Sequence, residues 1–152
     1  MAIEIERKFL VHGDAWRDAP AVYYSQGYLS RAKERTVRVR IAGEAAFLTI
    51  KGISTGATRA EFEYPIPVWD ARELLAMCEQ PLIEKYRRKI PYEGFIWEVD
   101  EFLGENTGLV IAEIELTAED AVFNKPVWVG VEVTSDTRYY NSSLAAHPFS
   151  RW

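Results

Sequence analysis

Three charged residues near the start of the chain, Glu4, Glu6 and Lys8, alternate with other side chains at a spacing of two. Side chains two positions apart share one face of a β-strand, but they lie on nearly opposite sides of a helix. These charges therefore converge only on a strand, where the two carboxylates are about 6.6 to 6.8 Å apart along the backbone. Carboxylates this close repel unless a cation lies between them, and a divalent metal ion with oxygen ligands meets that requirement.

Taken alone, this segment is more typical of a half-buried strand than of a metal site. Ile3, Ile5 and Phe9 would then face the core, and the charged side chains would face water. The choice between the two interpretations depends on the rest of the chain.

The composition is that of an ordinary globular protein, with 48% apolar and 27% charged residues among 152. This predicts a single domain over 1–152. A net charge of -5 argues against nucleic acid or an anionic membrane as a partner. Cys78 is the one cysteine, and His12 and His147 are too few for a zinc cluster. The sequence shows no signal-peptide pattern and no apolar run of spanning length, so we expect a cytoplasmic location.

The alternation of apolar and polar residues recurs along the chain and predicts a mainly β fold. Further strands are expected over 22–30, 36–41, 46–51, 58–66, 82–90, 95–100 and 109–116. A helix is expected over 68–79, a short helix from Thr117, and another within 134–146. Gly27 indicates a bend or a close backbone approach. Many antiparallel strands with few long connections favour a closed barrel, and eight strands leave room for one small ligand.

One face of these strands carries almost only ionisable side chains, which are costly to enclose and therefore suggest a functional purpose. The members of this face are Glu4, Glu6, Lys8, Arg38, Arg40, Lys51, Glu61, Glu63, Lys85, Arg87, Glu98, Asp100, Glu113 and Glu115. Carboxylates without histidine or cysteine suit magnesium or manganese, and lysine and arginine match phosphate oxygens. The sequence has no P-loop motif, and no serine or cysteine has a plausible histidine partner. Water activated by a metal is the remaining nucleophile.

The order of these motifs along the chain resembles the triphosphate tunnel metalloenzymes of the CYTH superfamily. The resemblance rests on residues 4–8, 38–40, 51, 85–87 and 113–115. It implies an antiparallel eight-stranded barrel that forms a tunnel, with a few covering helices. It also implies that Glu4, Glu6 and Glu115 hold the metal, with Glu113 positioning a second ion or the water. The residues that it implies for phosphate binding are Lys8, Arg38, Arg40, Lys51, Lys85 and Arg87.

Five other residues complete the expected substrate site. Glu61, Glu63 and Asp100 lie on the charged face of the strands, and Tyr28 either points at a ligand or packs in the core. Arg138 lies in a closing segment, 136–141, that is similar to the family's entry into its C-terminal helix. A basic pair is common there, but Thr137 occupies the first of the two positions in this sequence.

The family contains tripolyphosphatases, thiamine triphosphatases, class IV adenylyl cyclases and RNA triphosphatases. This compact chain resembles the small bacterial tripolyphosphatases most, which implies hydrolysis of tripolyphosphate to pyrophosphate and phosphate. A cyclase, a thiamine triphosphatase and a polyphosphate-binding barrel without catalysis are the alternatives. The sequence places no aromatic platform or amide pair beside the charged face, so we expect recognition of the phosphate chain alone. A homodimer is compatible with the sequence.

Overall fold

The computed structural model describes residues 3–152, which form nine β-strands and two α-helices. The strands are β1 (Ile3–Val11), β2 (Ala21–Ser30), β3 (Arg35–Ala42), β4 (Ala45–Gly52), β5 (Thr58–Ile66), β6 (Ile83–Tyr92), β7 (Phe95–Phe102), β8 (Val110–Glu115) and β9 (Val129–Glu132). The helices are α1 (Val68–Met77) and α2 (Asn141–Ala146). Short 3-10 helices cover Ala15–Asp18, Gly104–Asn106, Thr137–Tyr139 and Phe149–Arg151.

The first eight strands close into an antiparallel barrel. Their order is β5-β4-β3-β2-β6-β7-β8-β1, and β1 pairs back onto β5 with Glu4 opposite Arg59. On its other edge β1 pairs with β8, which places Glu6 opposite Glu115 and Lys8 opposite Glu113. The predicted eight-stranded barrel is confirmed. Because the barrel is closed, the first charged motif of the chain, on β1, lies next to the last one, on β8.

Two details of the secondary structure differ from the prediction. Strand β9 was not predicted; it pairs with the last residues of β1, opposite Phe9 and Val11. Its four residues are too short a run for the alternation to be distinctive. The helix predicted from Thr117 is wrong, because residues 117–120 form a single turn in which the Ala121 amide bonds to the Ala118 carbonyl. No run of apolar residues at helical spacing follows it before Pro126.

The apolar core lies outside the barrel wall, on the faces opposite the charged side chains. Phe9, Trp97 and Ile114 are fully buried there against Trp16 and Trp128. Strands alternate their side chains between two faces, so burying these residues outside directs their charged neighbours inward.

Helix α1 covers another part of the barrel and packs mainly on β3. Its end approaches β2 so closely that a Cβ on Gly27 would lie 2.7 Å from both the Cys78 Cβ and the Leu82 Cδ2. The close backbone approach predicted at Gly27 is confirmed. Neither helix in the described range, 3–152, is long and apolar enough to cross a membrane.

Candidate active site

The barrel interior contains a cavity of about 310 Å³ that is lined mainly by charged side chains. Seven carboxylates contribute to its wall: Glu4, Glu6, Glu61, Glu63, Glu98, Glu113 and Glu115. Eight cations contribute as well: Lys8, Arg38, Arg40, Lys51, Arg59, Lys85, Arg87 and Lys89. The structure therefore brings all ten predicted catalytic residues into one cavity, although they come from five different strands. Their individual roles stay predictions.

Lys8 bridges two of the predicted metal-binding carboxylates. Its Nζ lies 3.0 Å from Glu6 Oε1 and 2.9 Å from Glu113 Oε2. Burial alone would raise the pKa of Glu6, but the charge of Lys8 together with the contacts to Glu113 and Lys51 outweighs it, and the pKa is lowered to about 2. The pKa of Lys8 is raised, because Glu113 and Glu6 together outweigh the burial that opposes its charge. Glu6 and Lys8 are therefore both ionised at neutral pH.

Lys51 has the same relation to Glu4. Its Nζ lies 3.1 Å from Glu4 Oε1 and 3.0 Å from Oε2, and it is 3.4 Å from Glu61 Oε2. Glu4 is only 7% exposed, so this ion pair lies in the barrel and not at its surface.

Glu115 is the predicted metal ligand that no lysine or arginine of residues 3–152 pairs with. Burial raises its pKa, and the negative charges of Glu4, Glu6 and Glu98 raise it further. Several carboxylates thus direct negative potential at one part of the cavity.

A hard divalent cation fits this set of oxygen donors, which contains no histidine or cysteine. As the side chains stand, no three carboxylate, histidine or cysteine groups within residues 3–152 converge closely enough to hold a metal ion. The lysine pairs explain this spacing, since Lys8 holds Glu6 and Glu113, and Lys51 holds Glu4. To hold a metal ion together, these carboxylates would have to turn away from the lysines.

A second group of charges lies on β6 and β7. Arg87 binds Asp100 through two parallel hydrogen bonds, and Lys85 Nζ lies 2.7 Å from Asp100 Oδ2. Asp100 has a lowered pKa, because the charges of Arg87 and Lys85 outweigh the burial that would raise it. Burial lowers the pKa of Lys85 to about 7, and the charges of Arg87 and Arg40 add to this against the opposing effect of Asp100.

Arg38 and Arg40 extend the cationic wall along β3. Arg38 lies 3.6 Å from Glu63 and donates to Thr49. Arg40 has no carboxylate within 4.0 Å among residues 3–152, and its Nε donates instead to Gln26 Oε1 at 2.8 Å. Burial and the charges of Arg38 and Arg87 lower its pKa to about 9, so Arg40 still keeps its charge at neutral pH.

Two predicted substrate-binding residues lie away from the cavity surface. Asp100 is fully buried behind Lys85 and Arg87, because its carboxylate compensates their charges. Arg138 is 61% exposed and bonds to Asp136, and its guanidinium stacks on Trp152. Its place in the Thr137–Tyr139 turn directs the side chain outward, so the structure does not bring it to the site. Tyr28, Glu61 and Glu63 do line the cavity.

Sequence reasoning missed several polar residues of the site. Arg59 and Lys89 line the cavity. Each lies two positions from a residue that was predicted for the site, Arg59 from Glu61 and Lys89 from Arg87. Strict use of the spacing would have found them. Asn141, at the start of α2, also lines the cavity, and Gln26 is fully buried beside it. The expectation that no amide pair lies beside the charged face is therefore wrong.

The family model described as the CYTH domain matches residues 2–147. An inorganic triphosphatase of Acetivibrio thermocellus is 56% identical over an alignment of 154 residues, which covers 100% of this chain and 99% of the relative. An inorganic triphosphatase of Nitrosomonas europaea is 39% identical over 147 residues, and the alignment covers 93% of this chain and 96% of the relative. A crystal structure of an inorganic triphosphatase has a TM-score of 0.68 at 36% identity, with 95% of each chain covered.

Proposed function

The chain belongs to the CYTH domain family, and we propose that it is an inorganic triphosphatase that hydrolyses tripolyphosphate to pyrophosphate and phosphate. The observation that carries the proposal is a cavity inside the closed barrel that is lined by eight cations and seven carboxylates. The relatives that are named inorganic triphosphatases and cover this chain almost from end to end support it. The family match over 2–147 supports one domain over 1–152.

The carboxylates and the cations of the cavity have different roles. Glu4, Glu6, Glu113 and Glu115 would hold magnesium or manganese, and a bound ion of this kind supplies Lewis-acid polarisation of the phosphoryl oxygens. Arg38, Arg40, Lys51 and Arg87 bind phosphate oxygens and offset the negative charge that builds on them as the anhydride bond breaks. Because the barrel fixes these groups on strands, little reorganisation is needed at the moment of reaction.

Arg40 is the clearest phosphate-binding group. Of the four cations just named, it is the one that no carboxylate of residues 3–152 pairs with, whereas Arg38, Lys51 and Arg87 each have an acidic neighbour. An anion that enters the cavity gains the full attraction of Arg40 without displacing a protein carboxylate.

Two amides and one aromatic ring of the wall are already engaged. Gln26 donates a hydrogen bond to Asn141. The guanidinium groups of Arg40 and Arg87 lie over the ring of Tyr24, at 4.9 and 5.0 Å from its centre. None of these groups is free to recognise a purine or a thiazole ring, which favours inorganic tripolyphosphate over the nucleotide and thiamine alternatives.

The test is phosphate release from tripolyphosphate, pyrophosphate, ATP and thiamine triphosphate, with magnesium, manganese or excess chelator. Phosphate from tripolyphosphate that requires the metal is expected. Binding of tripolyphosphate without release would favour the polyphosphate-binding barrel, and cyclic AMP as the main product from ATP would favour the cyclase. Either result would overturn the proposal.

A further inference from the structure

Asn141 joins two walls of the cavity through a single oxygen atom. Its Oδ1 accepts from Lys85 Nζ on β6 at 2.9 Å and from Gln26 Nε2 on β2 at 3.0 Å. Gln26 in turn accepts from Arg40 Nε on β3 at 2.8 Å. Asn141 therefore connects Lys85 and Arg40, two cations of the site, through a pair of amides.

The orientation of both amides is fixed by their cationic neighbours. Arginine and protonated lysine can only donate hydrogen bonds, so an oxygen of each amide faces them when both are charged. The oxygen of Gln26 faces Arg40, which turns its NH₂ group toward Asn141. The oxygen of Asn141 then receives two donors, and each bond supports the other.

The neutral amide holds a cation without cancelling its charge. Arg87 pairs with Asp100, Glu98 and Glu113, whereas Lys85 has only Asp100, which it shares with Arg87. An aspartate at position 141 would give Lys85 a second carboxylate and offset its charge, whereas asparagine supplies an acceptor and leaves the charge for an anion. We infer that Asn141 is a positioning residue that fixes Lys85, and through Gln26 also Arg40, for phosphate binding. This inference rests on the proposed function.

The protonation of Lys85 offers a readout that a purely structural role would not change. The charged groups around it are Asp100 on β7, Arg87 on its own strand, Arg40 on β3 and Glu113 on β8. Tyr24 of β2 lies directly opposite it in the sheet. Burial lowers the pKa of Lys85 to about 7, so this amine titrates in the neutral range and a change of its acceptor shifts the titration.

Two substitutions should shift Lys85 in opposite directions. Asn141→Asp adds a negative charge and should raise the pKa of Lys85, whereas Asn141→Ala removes an acceptor of the charged form and should lower it further. The titration of Lys85 is followed by NMR of its side-chain carbon next to the amine, assigned with Lys85→Arg. Ser143→Ala, on the same helix, is the control.

Tripolyphosphate binding by calorimetry is the second measurement. Both Asn141 variants should bind about tenfold more weakly at pH 8. At pH 6 the Asn141→Ala variant should recover part of the lost affinity, because its Lys85 regains the proton. The Asn141→Asp variant should not recover it. Unchanged Lys85 titration in both folded variants, or the same loss in Ser143→Ala, would overturn the inference. Neither measurement needs hydrolysis, so wild-type protein that titrates as expected but releases no phosphate would instead refute the triphosphatase proposal.

Discussion

The guanidinium of Arg87 and the carboxylate of Asp100 form a buried bidentate pair, with Nε–Oδ1 at 2.7 Å and Nη2–Oδ2 at 2.8 Å. Neutralising Asp100 leaves Lys85 buried without a carboxylate and Arg87 with only its longer contacts to Glu98 and Glu113, and losing one partner of a buried pair is strongly destabilising. Asp100→Asn should therefore lower the free energy of unfolding by about 3 to 5 kcal/mol, measured by urea denaturation. Glu79→Gln, which breaks an exposed pair with Arg31, is the control and should cost about 0 to 1 kcal/mol. Equal losses in the two variants would contradict this assignment.

Glu6 predicts how stability without metal depends on pH. Its pKa in the folded protein is about 2, below the ordinary value of 4.5, so its contribution is complete above 4.5 and is lost as the pH falls toward 2. The shift corresponds to about 3 kcal/mol at most. Urea denaturation in chelator at several pH values should show a shallower acid loss for Glu6→Gln than for the wild type. The prediction fails if both proteins lose stability in parallel.

The predicted metal ligands can be tested by activity. Glu4→Gln and Glu6→Gln should lower the turnover of tripolyphosphate by orders of magnitude, because the amide cannot replace a carboxylate as ligand to a hard cation. Far-UV circular dichroism checks that the variants fold. Glu44→Gln, in the exposed β3–β4 turn, should keep wild-type turnover. Full wild-type activity in excess chelator would refute the metal requirement itself.

The cations of the wall should differ in their kinetic effects. A group that only binds the substrate raises KM when removed, and one that stabilises the transition state also lowers kcat. Arg40→Ala is the cleanest test, because it leaves no carboxylate without a partner, unlike the alanine variants of Arg38, Lys51 and Arg87. We expect all four to lose activity and exposed Lys33→Ala to keep it. Wild-type kinetics in all four would remove these residues from the site.

Selectivity should follow from the charge that an organic substituent removes. Such a substituent takes one negative charge from the phosphate chain, and the two amides of the wall, Gln26 and Asn141, are already bonded to each other. One charge-assisted contact of about 1.5 to 3 kcal/mol corresponds to a preference of about ten- to a hundredfold or more for tripolyphosphate over ATP in kcat/KM. Steady-state kinetics with the same metal measure it. Equal or better use of ATP would move the assignment to the nucleotide branch of the family.

The sequence by itself determined the barrel and most of its charged lining. A period of two is a local property of the chain, so residues such as Arg38 and Arg40, or Lys85 and Arg87, could be assigned to one face without knowing their neighbours. The turns between short antiparallel strands then left few topologies open.

The expected cytoplasmic location and a homodimer stay predictions.

Only the tertiary structure decided which charges pair and which stay free. Asp100 and Arg87 have the same spacing pattern as the other site residues, but pairing across β6 and β7 buries Asp100 behind the wall. Asn141 lies 115 residues from Gln26 and belongs to a helix, so no strand period could place it beside the barrel lining. Arg138, three residues earlier, turns outward instead. These positions depend on how α2 docks on the barrel, and docking is set by long-range packing that no local pattern encodes.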